Sequence, residues 1–76
     1  MRTRHGEFER IQSVLEDADP DEPLTAREIL QLLEKHGEDF DSAHRVATVL
    51  GRREDTGDVE VIREQPYRYR FVDGNN

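Results

Sequence analysis

The chain has no cysteine, no tryptophan and a single lysine, Lys35, and it lacks any long apolar run. Without cysteine there is no disulfide framework, no thiolate metal site and no cysteine nucleophile, and the redox state of its compartment leaves no trace. Without a long apolar run no membrane span is expected. Met1-Arg2-Thr3-Arg4 leads into no apolar segment, so no signal peptide is expected and the expected location is the cytoplasm. The 76 residues make one domain, 1–76, with 1–4 and 73–76 expected to fray. A chain of this length buries only ~60% of its unfolded surface, so its stability is marginal or shared with a partner.

What is present is charge. Eighteen Asp and Glu stand against eleven Lys and Arg, a formal net charge of −7, and every basic residue but one is arginine. Abundant acids with almost no lysine resemble the proteins of salt-loving archaea. At low salt a net negative charge opposes binding to nucleic acid. In molar salt the Debye length is ~3 Å, so only contact-range chemistry counts and acidity does not exclude a DNA partner. The same salt weakens phosphate contacts, which leaves more to base contacts and shape.

Helical periodicity comes first along the chain and strand alternation last. Phe8, Ile11, Leu15 and Ala18, with Val14 beside them, predict a helix over 5–18. Pro20 and Pro23 then interrupt it. Thr25 and Glu28 form a capping-box pattern opening a second helix, with Leu24 and Ile29 as a hydrophobic staple. Ile29, Leu32 and Leu33 are its buried stripe, and Gly37 its stop. Leu24 is also a candidate for a very short strand. A third helix starts at Asp41 or Ser42. Ala43, Val46, Ala47 and Leu50 form its core face, while His44, Arg45, Thr48 and Arg52 project outward. Phe40, just before it, is expected to plug the core.

After Gly57-Asp58 come "VEVIR" and "YRYRFV", alternating, β-branched and aromatic: a hairpin. A two-residue turn at Gln65-Pro66 would mix the faces. A three-residue loop, Glu64 to Pro66, pairs Val61 with Tyr69 and Val59 with Phe71 on one face, and Glu60 with Arg70 and Ile62 with Arg68 on the other. A one-residue slip exchanges faces, so the odd loop is expected.

The segments "LTAREILQLLEKHG", "DSAHRVATVLGRR" and "DVEVIREQPYRYRF", spanning Leu24 to Phe71, resemble the winged helix-turn-helix family and its small haloarchaeal members. The resemblance implies an α+β fold of three helices followed by a C-terminal β-hairpin wing. It implies double-stranded DNA as partner, the third helix in the major groove and the wing on the backbone, with regulation of transcription as the expected role. By the same resemblance Ser42, His44, Arg45, Thr48 and Arg52 fall on the recognition face, Arg53 near a phosphate, and Arg63, Gln65 and Arg68 at the wing tip. Two features depart from the pattern: the wing is very short, and Glu54, Asp55, Asp58 and Glu60 stand close enough to neutralise arginines. The alternative is a winged-helix protein-interaction module without DNA binding, since a fold does not fix a function. A homodimer fits either case, because one module offers DNA a modest interface.

Catalysis finds little support: there is no Ser-His-Asp order, glycine-rich phosphate loop or His-Glu-x-x-His. Neither an enzyme, a cofactor nor a small-molecule substrate is expected. His5, His36 and His44 lack metal-ligand spacing. Asp17, Asp19, Asp21, Thr25 and Glu28 do follow much of a calcium-loop spacing. The sixth position, which demands glycine, holds Glu22, and Pro20 and Pro23 stiffen the segment. Of the aromatic pair in the hairpin, Tyr69 is expected in the core and Tyr67 is open to base stacking or core.

Overall fold

A computed structural model describes residues 6–72. The expected fraying of 1–4 and 73–76, and His5, lie outside the described residues. Helix α1 spans Glu7–Ala18, strand β1 Leu24–Thr25, helix α2 Ala26–Lys35, helix α3 Ala43–Arg52, strand β2 Val59–Ile62 and strand β3 Arg68–Phe71. The three strands form one antiparallel sheet in the order β1-β3-β2, so the last strand is its centre.

The helix ends follow local chemistry. Glu28 N–H donates to Thr25 Oγ1 at 3.1 Å and Thr25 N–H to Glu28 Oε1 at 2.9 Å, the reciprocal capping box that opens α2. Gly37, at φ 81°, takes the left-handed backbone that ends it. Ser42 Oγ accepts from Arg45 N–H at 3.2 Å and caps α3. Leu24, the expected short strand, pairs with Tyr69, and Thr25 with Arg68.

The hairpin takes the register expected from its alternation: Val59 opposite Phe71, Glu60 opposite Arg70, Val61 opposite Tyr69, Ile62 opposite Arg68. Pairing stops at Ile62–Arg68, so the connection is 63–67 and longer than the three residues expected; it holds a cis Gln65–Pro66 bond.

Ile11, Ile29, Leu33, Val46 and Leu50 are wholly buried at the centre, with Val59 and Tyr69 supplied by the sheet. Phe40 is buried beside them, as expected for a core plug. Phe8 stacks on Phe71 with ring centres 5.3 Å apart, tying the start of α1 to the end of β3. Among the described residues no helix is long and apolar enough to cross a membrane.

Candidate functional site

Helix α3 buries Val46, Val49 and Leu50, while Ala43 and Ala47 are only half-buried. At 100° per residue this turns the core face roughly 60° from the expected one, toward Val49. The cause is size: valine removes more apolar area from water than either alanine. The rotation decides which polar residues look outward. His44, Thr48 and Gly51 lie opposite the core, with Arg52 beside them, whereas Arg45 swings to the margin facing α1. His44 and Arg52 are exposed. Thr48 is half-buried, and its Oγ1 donates to the His44 carbonyl one turn back at 3.0 Å, which leaves the oxygen's lone pairs free to accept. Ser42 is committed to its cap.

The arginines of this region divide into two groups. Arg45 reaches Glu7 with two parallel bonds, Nε–Oε2 at 3.0 Å and Nη2–Oε1 at 2.5 Å, and braces α1 against α3. The bonds from Arg45 hold the Glu7 carboxyl below its usual range, and the carboxylate in turn raises the guanidinium. Arg63 makes the same fork with Glu54, both bonds at 2.8 Å, and straps the hairpin to the turn after α3. Those bonds likewise lower Glu54 and raise Arg63. Arg53 lies 4.2 Å above the Phe8 ring, with Asp58 at 3.5 Å and Glu9 at 3.8 Å. Arg70 pairs with Glu60 across the strands. By contrast Arg52 and Arg68 have no ion-pair partner among the described residues.

Arg68 stands on the solvent face of the central strand between Thr25 and Ile62. Gln65 is exposed at the tip beside Tyr67, which is 47% exposed and so not a core residue. Tyr69 is in the core, where burial pushes its hydroxyl up. The expected site residues therefore separate into an outward set (exposed His44, Arg52, Gln65 and Arg68, with half-buried Thr48) and a structural one (Ser42, Arg45, Arg53, Arg63).

Glu54, Asp58 and Glu60 neutralise arginines as their positions suggested, but Asp55 is exposed and pairs with none among the described residues. Glu7 and Glu9 do so unannounced, since partners as distant along the chain as Arg45 and Arg53 leave no local pattern. Among the described residues no group of three His, Asp or Glu could hold a metal. The calcium-like spacing is undone by prior commitments: Asp17 bonds His36 Nε2 at 3.2 Å, and Glu28 is in the capping box. No protein-family model, curated protein or solved structure matches the chain.

Proposed function

We propose that the chain is a small winged helix-turn-helix module that binds double-stranded DNA, with α3 in the major groove and the β2–β3 hairpin as a wing on the backbone. The observation that supports this most is the selective pairing of arginines. Four are tied to carboxylates in the frame, while Arg52 and Arg68 stay uncommitted on α3 and the hairpin. Arg52 suits a guanine edge or a phosphate, and His44 and Thr48 suit base edges at the same helix face. Arg68, with Gln65, suits a phosphate. Arg45, Arg53 and Arg63 then act on DNA only by holding α1, α3 and the hairpin in one geometry.

A gel shift at molar salt tests this with duplexes selected from a random pool. Arg52→Ala with Arg68→Ala is expected to lose the shift, whereas Arg45→Ala keeps it at temperatures where the variant remains folded. Each phosphate contact removed lowers the salt slope by about 1. The rival is a protein-interaction module. It is favoured by the same ion pairs, which leave so acidic a surface with only two uncommitted arginines in this region. Full retention of DNA by the double variant, or no DNA selected at all, would transfer the assignment to the rival.

A further inference from the structure

Beyond the Phe8–Phe71 stack, α1 and the sheet diverge and leave a cleft of about 500 Å³. Its floor is apolar: Leu15 and Tyr69 at depth, then half-buried Leu24 and Phe71, then Val72, 45% exposed. Its rim is acidic, with Glu16 from α1 and Asp19, Asp21 and Glu22 from the α1–β1 connection. Away from the cleft Glu7, Glu9, Glu38, Glu54 and Glu60 each face an arginine, and Asp58 in its lining faces Arg53. None of the four rim carboxylates has a cationic partner among the described residues. The one basic residue of the lining, Arg70, is held by Glu60.

We propose that this cleft docks a cationic, amphipathic peptide segment of a partner protein, its apolar side chains on Leu24, Phe71 and Val72 and its arginines or lysines on the rim. The chemistry selects this occupant over others. A single metal ion needs carboxylates that converge, and no group of three does so among the described residues. An anionic or purely apolar ligand would leave the rim facing like charge or bare apolar surface. A segment carrying both apolar and cationic side chains satisfies floor and rim together. The proposal does not rest on DNA binding, because the cleft shares no residue with the outward face of α3.

The test uses the full chain and two short fluorescein-labelled peptides followed by anisotropy, one alternating arginine with leucine, the other glutamate with leucine. Binding of the arginine peptide alone is expected. Asp19→Asn with Glu22→Gln is expected to weaken it about five- to tenfold, the scale of two exposed ion pairs. Asp55→Asn with Glu64→Gln changes the net charge equally but lies outside the cleft, and is expected to change affinity by less than about twofold. Val72→Ser is expected to weaken binding at both low and molar salt, since apolar contact is not screened. Equal weakening by the two double variants would overturn the proposal, as would equal binding of the glutamate peptide or no binding at all. Sedimentation gives a further check: self-association lost in Val72→Ser would make a second copy the occupant and would also overturn it.

Discussion

His36 sits where two acceptors meet it. Its Nδ1 faces the Leu32 carbonyl at 3.0 Å and its Nε2 faces Asp17 Oδ2 at 3.2 Å. Only the imidazolium donates from both nitrogens, so the bond to Leu32 and then that to Asp17 raise its pKa above the usual 6.5. The folded state therefore holds this proton more tightly than the unfolded one. Its contribution is complete below the unfolded pKa and is lost as pH rises through the raised folded one. Melting curves across neutral pH are expected to separate the wild type from His36→Gln on the acid side and bring them together on the alkaline side. Glu54 has the opposite sign. The Arg63 bonds lower its pKa, so its contribution is present above the ordinary carboxylate range and disappears as pH falls through the lowered value. Glu54→Gln is expected to melt below the wild type at neutral pH and to match it in acid. A melt difference that grows with acidity would contradict the strap.

At the scale of elements, much of the architecture was legible because it is written in local code. The Thr25–Glu28 box, Gly37, the Ser42 cap and the alternation of the hairpin each use neighbours within a few positions. Thr25→Ala is expected to cost about 1 kcal/mol in denaturant unfolding, with the loss concentrated in α2. Leu24 as a strand was visible only as a candidate, since two residues carry no periodicity. The rotation of α3 was not legible. Ala43 and Ala47 fit an apolar stripe as well as Val49 does, and only the packed neighbours decide between them. That one shift moved Arg45 from the outward face to the α1 margin. The strap from Arg63 to Glu54 was half-visible, in that Glu54 was close enough in sequence to suspect; the brace from Arg45 to Glu7 was not. The cleft between α1 and the sheet had no sequence signature, because a gap is a property of two elements and not of either.

The whole molecule is held by a small core and a dispersed set of exposed ion pairs. Ile29 and Leu33 are completely buried, and Leu33→Ala is expected to cost about 2–5 kcal/mol, enough to unfold much of so short a chain. A loss of cooperative melting in that variant checks it. Ion pairs at the surface contribute little singly and are screened by salt. Salt also relieves the mutual repulsion of an excess of seven negative charges. The repulsion acts over the whole surface and the pairs only locally, so the melting temperature is expected to rise as sodium chloride is raised toward molar. A steady fall would mean that the braces outweigh the repulsion.

The order of the strands carries a consequence for synthesis. The first and second strands never touch; each finds its partner in the third, which ends at Phe71. Once synthesis has reached Ile62, the three helices and the first two strands are made, and those two strands do not pair with each other. The sheet closes only when the segment through Phe71 has cleared the exit tunnel, so its formation waits on β3 whatever the helices have already done.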